Sequence, residues 1–248
     1  ADSVAPFNRY LGVFLPYTPL HHLLFASGRF PALVMTSGNL CEEPIAMDNR
    51  EALERLRELS DFFLVHNRDI LRRCDDSVLR VAAGRARLLR RSRGYVPVPV
   101  FLHKEVPAIL AVGGELKNSI CLTHGRNAFL SQHIGDLENV ESYAFFEEVV
   151  GHLQRVLEIE PRMIAYDLHP DYFSTRWALA QAGVQLVGVQ HHHAHIAACM
   201  AENHLEGNVI GIALDGTGFG TDGNIWGGEV LLADYRKFEC VAHFEYMP

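Results

Sequence analysis

Short apolar runs set the rhythm of the first hundred residues, and longer helical stripes replace them afterwards. Near the start, LGVFL (11–15) and PALVM (31–35) have strand length and end at PYTP and TSGN. Residues 20–28 between them read as an apolar helix. Asp48 stands where it can cap a helix over 49–59, with Leu53, Leu56 and Leu59 on one face. A strand at 62–65 follows, then a hairpin pairing 77–81 with 86–90 around Ala83-Gly84. Pro97, Pro99 and Pro107 mark 94–107 as the linker. Beyond it, strands at 108–112, 119–123 and 127–131 lead into a helix over 138–158, where Val149, Val150, Leu153, Val156 and Leu157 recur at helical spacing. Strand 163–166, helix 171–182, strand 185–189 and helix 192–203 then alternate. Strand 208–214, a glycine-rich loop, and strands at 225–232 and 238–244 complete the order. This order predicts an α/β fold with a central mixed sheet.

With 48% apolar and 21% charged residues in 248, the chain is neither disordered, collagenous nor a low-complexity linker. It holds no apolar run of about 18 residues, the length a membrane helix needs. The start, ADSVAPFNRY, lacks both an initiator Met and the layout of a signal peptide, and reads as part of a longer protein. The net charge of −8 is unevenly shared: residues 1–104 carry 15 basic and 11 acidic groups, residues 105–248 carry 7 and 19. That contrast predicts two units, 1–104 and 105–248, with different tasks. The basic unit suits phosphates, whereas the acidic one argues against bulk nucleic-acid binding. Five scattered cysteines without a CxxC read as reduced thiols in the cytoplasm, each first of all a small buried hydrophobe.

The sharpest chemical signal is Gln190-His191-His192-His193-Ala194-His195, after a strand and at the opening of a helix. His191 and His195 lie four apart, share a helix face, and can chelate one divalent metal. Asp215, at the end of the next strand, is the candidate third ligand, because open α/β sheets build sites at strand C-termini. The plainer reading is a hydrated polar helix start. In the glycine-rich stretch after Asp215, Gly216, Thr217, Gly218 and Gly220 form either an anion-binding nest or a simple hairpin. Gly113, Gly114, Lys117 and Asn118 offer a second hairpin loop that could face phosphate. Nine arginines crowd residues 68–93, among them Arg68, Arg73, Arg90, Arg91 and Arg93, with Asp76 and Ser77 in their midst. Arginine forks suit phosphate, and a solvated sheet face is the alternative. Ser37 and Asn39 bring short polar groups to a strand end. Ser131-Gln132-His133 with Asp136, and Asp167 with His169 and Asp171, stand at strand ends where they could line the cleft, and each reads first as a cap or turn.

Taken together, LPYTPLHHLL, TSGNLCEEPI, HNRDILRRCDDSVLR, RRSRGYVP, GGELKNSICL, SQHIGDLENV, DLHPDYFST, QHHHAHIAAC and DGTGFGTDGNIWGGE resemble an internal segment of the HypF carbamoyltransferases of [NiFe]-hydrogenase maturation. The resemblance implies the later part of a YrdC-like domain up to residue 104. It then implies the first half of a TsaD-like domain, with the ribonuclease-H-like fold of the ASKHA superfamily. The family reaction turns carbamoyl phosphate and ATP into carbamoyl-AMP with release of pyrophosphate. The carbamoyl group then passes to the C-terminal cysteine of a HypE-type partner, to become the cyanide ligand of the hydrogenase iron. By resemblance, Ser37, Asn39, Ser77 and an arginine among 90, 91 and 93 lie at the adenylate, His191 and His195 bind metal, and Asp215 heads the phosphate loop. ATP, Mg2+ and zinc or iron at the His pair are the implied cofactors. A closed route between the units is expected, because an acyl-adenylate is labile in water. Small-molecule O-carbamoylation and tRNA threonylcarbamoylation are alternatives on the same folds. An Arg-rich nucleic-acid-binding module is the non-enzymatic one.

Overall fold

A computed structural model describes residues 4–41 and 43–245. Its elements in order are α1 (Pro19–Ala26), α2 (Asn49–Arg55), β1 (Val78–Ala82), β2 (Arg85–Arg90), β3 (Val100–Val106), β4 (Ile109–Ala111), β5 (Cys121–Leu130), α3 (Val140–Leu157), β6 (Met163–Asp167), α4 (Phe173–Leu179), β7 (Gln185–Val189), α5 (His191–Glu202), β8 (Val209–Phe219), β9 (Ile225–Ala233) and β10 (Phe238–His243). The α/β class holds. No helix is long and apolar enough to cross a membrane among the described residues.

The N-terminal third follows the local signals for helices and turns, not for strands. Asp48 caps α2 through a full capping box with Glu51. Ala83 and Gly84, both at positive φ, make the tight turn between antiparallel β1 and β2. The expected strands at 11–15, 31–35 and 62–65 do not form. An apolar run becomes a strand only against a partner, and among the described residues these runs have none. Val13, Val34 and Phe62 accordingly stand 85%, 81% and 92% exposed.

The second unit is built on a five-stranded sheet in the order β3-β5-β4-β6-β7, antiparallel at β3-β5-β4 and parallel at β4-β6-β7. The proline-marked linker ends early, because residues 100–106 are a strand of this sheet. The two strands expected at 119–123 and 127–131 are one strand, β5. Gly125, at φ +59°, sits at the irregularity where Val106 pairs and does not turn the chain back. α3 covers the sheet with Phe145, Phe146, Val149, Val150 and Leu153, which pack against Leu110, Ile120, Leu122 and Ile164. β8, β9 and β10 make a separate antiparallel sheet instead of joining the central one. The short Gly220–Asn224 turn makes β8–β9 pairing local, with a small loop-closure cost. Ile196 and Met200 of α5 bury against this sheet with Trp226 and Leu231.

The basic segment docks on α3. Arg72 and Arg73 both pair with Glu148, at 3.3 and 3.2 Å. Arg73 also reaches Glu51 and the Ile45 carbonyl, tying α2 to the same joint.

Candidate functional site

Parallel register places Asp167, the last residue of β6, beside Val189, the last of β7. Two residues later α5 opens at His191, with the Gln190 side chain accepting from the His193 amide as its cap. His191 and His195 therefore stand one turn apart over the C-terminal edge of the sheet. Asp215 reaches them from β8, where the register with β9 slips between Leu214 and Gly218. Asp215 Oδ2 lies 2.7 Å from His191 Nε2 and 3.5 Å from His195 Nε2, and the two Nε2 atoms are 3.2 Å apart.

The protonation pattern follows from Asp167. Its Oδ2 sits 2.6 Å from His191 Nδ1, and a carboxylate only accepts, so Nδ1 carries the hydrogen. His191 Nε2 then presents a lone pair to the centre. The hydrogen bond that His191 donates to Asp167 raises the basicity of the imidazole above the ordinary value, against the opposing effect of burial. Asp167 Oδ1 is held in turn by the His169 amide at 2.9 Å. Asp215 Oδ2 is buried without a hydrogen bond that satisfies it. Three electron-pair donors, from His191, His195 and Asp215, thus converge within 4.8 Å of one another. Two imidazoles, one carboxylate and a buried oxygen lacking a donor fit a divalent cation of the zinc or iron kind. The carboxylate behind His191 is the orienting group such sites use.

His192 and His193 face inward, not to substrate. The Gln190 amide is fixed by two backbone partners: Oε1 accepts from His193 N, and Nε2 donates to Phe219 O at 3.2 Å. Nε2 also donates to His192 Nδ1 at 3.1 Å, so His192 carries its hydrogen on Nε2. That atom looks toward Glu229 at 3.6 Å and Asp215 at 4.0 Å. His192 and Glu229 are fully buried. Burial pushes the Glu229 carboxyl up and the His192 imidazole down, both toward neutrality. His193 Nε2 meets the Asp234 carbonyl at 2.7 Å and braces α5 against the small sheet.

The glycine runs acquire definite roles. A Cβ on Gly114 would stand 3.5 Å from His191 Cε1, so the 113–118 loop passes directly beside the His centre. Gly113 adopts φ +72°, and a Cβ there would meet the Ser119 carbonyl at 2.5 Å. Asn118 is buried and braces this loop through the Val112 and Gly114 carbonyls at 2.9 and 2.6 Å. Lys117, at positive φ, faces a different cavity, with Arg90, Arg91 and His133. Of the two readings of the stretch after Asp215 the hairpin is the one that forms: β8 runs as far as Phe219 and turns back into β9. Gly216 donates to Asp215 Oδ1 at 2.7 Å and Thr217 is exposed. Gly218 and Gly220 let the backbone press against His192 and Trp226.

A second cavity, of about 170 Å3, lies between the units. Ser37, Asn39, Arg73, Asp75 and Arg90 line one side, and Gln132, His133, Gly135 and Asp136 the other. Of the arginines singled out in the sequence, only Arg90 brings a guanidinium to it with no hydrogen bond or ion pair among the described residues. Arg91 is taken by the Val98 carbonyl at 2.5 Å. Arg93 is taken by Asp76 at 3.3 Å and the Cys74 carbonyl at 3.0 Å. Ser77 is a strut between the Arg93 carbonyl and the Ser92 amide, and Arg68 points to solvent elsewhere. The structure thus does not bring Arg68, Asp76, Ser77, Arg91 or Arg93 to this cavity. Of the strand-end residues, Gln132 and His133 line this cavity and Asp167 joins the His centre, where the structure adds Glu229. The sequence signal for Asp167 was its place at the end of the strand beside the one that leads into the histidines.

Comparison with known proteins agrees along the whole chain. Residues 104–202 match the HypF Kae1-like domain and residues 211–248 the second subdomain of the carbamoyltransferase Kae1-like domain. Residues 1–92 match the Sua5/YciO/YrdC family, described as telomere recombination. Carbamoyltransferase HypF2 of Cupriavidus necator is 50% identical over 99% of this chain and 33% of its own length. Carbamoyltransferase HypF of Synechocystis is 47% identical over 98% of this chain and 32% of its own. The chain spans about a third of the length of these curated relatives. A full-length HypF crystallised in a phosphate- and nucleotide-bound form superposes with a TM-score of 0.91 at 51% identity, over 95% of this chain and 37% of that one. The T. kodakarensis HypF structure gives 0.93 at 44%, over 99% and 32%. With sequence and fold in agreement from end to end, the chain belongs to the HypF carbamoyltransferase family.

Proposed function

We propose that this chain carries both working faces of an ATP-dependent carbamoyltransferase of [NiFe]-hydrogenase maturation, divided just ahead of β3. Carbamoyl phosphate and water yield carbamate and phosphate, and a carbamate oxygen displaces pyrophosphate from the α-phosphorus of ATP, with Mg2+ as the nucleotide's counter-ion. The cavity between the units is the place for the resulting carbamoyl-adenylate. Arg90 balances phosphate charge there, and Ser37 and Asn39 offer hydrogen bonds. Asn39 Nδ2 already donates to the Leu40 and Glu43 carbonyls, so it presents its oxygen. The carbamoyl group then passes to the C-terminal cysteine thiol of a HypE-type acceptor, and AMP leaves. The compartment in this reading is the cytoplasm, where the acceptor thiol stays reduced.

At the second face, His191, His195 and Asp215 would hold zinc or iron, and Asp167 fixes the His191 tautomer. When bound, such a metal supplies Lewis acidity toward a carbonyl or phosphate oxygen. Gly114 leaves room for an approaching group beside His191, and the buried walls of His192 and Glu229 keep water from the far side. The observation that carries this reading is the convergence of the two Nε2 atoms on a buried Asp215 oxygen without a hydrogen-bond donor. The test is elemental analysis of the full-length protein and of His191→Ala/His195→Ala, alongside carbamoyl-phosphate-dependent AMP formation and mass spectrometry of the acceptor thiol. The double variant is expected to lose its metal and the thiol adduct. Unchanged metal content removes the site assignment, and a modification found on tRNA alone replaces the acceptor.

A further inference from the structure

Gln132 and His133 lie just past β5, the longest strand of the five-stranded sheet, yet the Gln132 side chain and the His133 amide bond to the first unit. Gln132 Nε2 donates to the Arg73 carbonyl at 2.8 Å, and its Oε1 accepts from the Asp75 amide at 3.3 Å. The His133 amide donates to the Arg91 carbonyl at 3.0 Å. Three bonds from two consecutive residues thus span both sides of the β1–β2 hairpin base. The next residues return at once to their own unit: Ile134 N donates to Asn118 O and Asn118 N to Gly135 O, both at 2.8 Å. The tip is therefore held from both sides, which is costly to arrange for a mere crossing point.

The arrangement delivers one side chain. His133 lines the cavity that holds Ser37, Asn39 and Arg90, at its border with the neighbouring one beside Lys117, and its ring makes no hydrogen bond among the described residues. The charged groups around it are Arg90, Asp75, Asp136 and Lys117. Burial and Arg90 hold the imidazole toward its neutral form. A neutral imidazole offers one donor and one acceptor, and it can stand beside an arginine without repulsion.

We propose that His133 contacts substrate in the adenylate-forming cavity, hydrogen-bonding the acyl-phosphate or carbamoyl oxygens, and that Gln132 is the positioning residue that sets it there. The proposal rests on reading that cavity as the adenylate site. It makes the activation pocket composite: its last wall belongs to the unit that performs transfer, so activation takes place only where that unit is docked.

The test uses the full-length protein in carbamoyl-phosphate-dependent ATP–pyrophosphate exchange, which reads adenylate formation without transfer. His133→Ala is expected to lower kcat/KM for carbamoyl phosphate about tenfold, the value of one hydrogen bond of about 1.4 kcal/mol. His133→Asn, which keeps a donor and an acceptor, is expected to recover most of that loss. Gln132→Ala is expected to fall in the same direction. AMP binding by calorimetry is expected to weaken in His133→Ala with an unchanged melting temperature. Ser37→Ala/Asn39→Ala serves as the reference for the cavity itself. If that reference loses exchange while His133→Ala matches the wild type, the role of His133 is refuted and the cavity reading stands. If neither changes, the cavity reading falls and takes this inference with it. If Ala and Asn at 133 are equally impaired, or if Ala at 133 lowers the melting temperature in step with exchange, the ring only packs, and the inference is likewise overturned.

Discussion

Asp167→Asn isolates the orienting half of the His centre without removing a ligand. Asp167 is 8% exposed, and its two oxygens have separate duties: Oδ1 accepts from the His169 amide at 2.9 Å and Oδ2 faces His191 Nδ1 at 2.6 Å. The replacement amide keeps its oxygen on the His169 N–H, because the opposite orientation would set two donors against each other. Its NH2 then points at His191 Nδ1, which must become the acceptor. The imidazole hydrogen moves to Nε2, where Asp215 Oδ2 waits at 2.7 Å to accept it. The variant therefore folds with its hydrogen bonds satisfied, and the His191 lone pair turns away from the centre. Loss of such an orienting partner costs about 10- to 100-fold in metal affinity, or about 1.4–2.7 kcal/mol. A competitive chelator titration of Zn2+ or Fe2+ into metal-stripped full-length protein measures it, with His191→Ala as the limit of ligand loss. A variant that binds metal as tightly as the wild type would refute the tautomer argument and the use of His191 Nε2 as a ligand.

Other outcomes follow from the packing. Phe146→Ala removes a fully buried ring that meets Trp177 edge-on at 5.5 Å; a loss of about 3–5 kcal/mol in urea unfolding is expected, and a loss under about 1 kcal/mol would contradict its place in the core. Gly218→Ala places a methyl 2.5 Å from His192 Cε1 and 3.0 Å from its Nδ1, and that ring is fully buried. A cost of about 1–3 kcal/mol is expected, with metal content lowered through the displaced Asp215, and wild-type stability together with wild-type metal content would rule it out. Cys121, whose thiol burial pushes up to about 12, is expected to resist maleimide at pH 8 while exposed Cys74 and Cys199 react, as read by mass mapping.

Where structure depends on neighbours in the chain, the sequence was an accurate guide. Asp48 with Glu51, Ala83 with Gly84, and the 185–189 strand followed by a His-rich helix all formed as their local chemistry requires. Partner choice was another matter. LGVFL and PALVM have strand-like composition, but composition does not supply the second strand, and both stay outside any strand and largely exposed. Gly125 shows the same limit in reverse. A glycine flanked by apolar runs reads as a turn, yet β5 runs straight through it, because β3 pairs beside it and absorbs the irregularity.

The site divides along the same line. His191 and His195 were legible because one helical turn joins them, and Asp215 because strand ends gather at one edge of a sheet. Asp167 lies 24 residues before His191, and only the parallel register of β6 and β7 brings the two together. Glu229 joins His192 through the β8–β9 pairing, in which it stands opposite Ala213. The arginine cluster is the strongest case. Nine like residues in one stretch give no means of ranking them by sequence, and the structure ranks them by what they already hold. Arg72, Arg73, Arg91 and Arg93 spend their forks on Glu148, Glu51, Asp76 and backbone carbonyls. Their charge is committed to docking the basic segment onto α3 and to closing the hairpin base. That leaves Arg90, one residue from the Arg91 carbonyl that anchors His133, as the cation available to a phosphate. A basic run that looks like an anion site is here largely scaffold, and among the described residues Arg90 is the unpaired arginine of the run that lines the cavity.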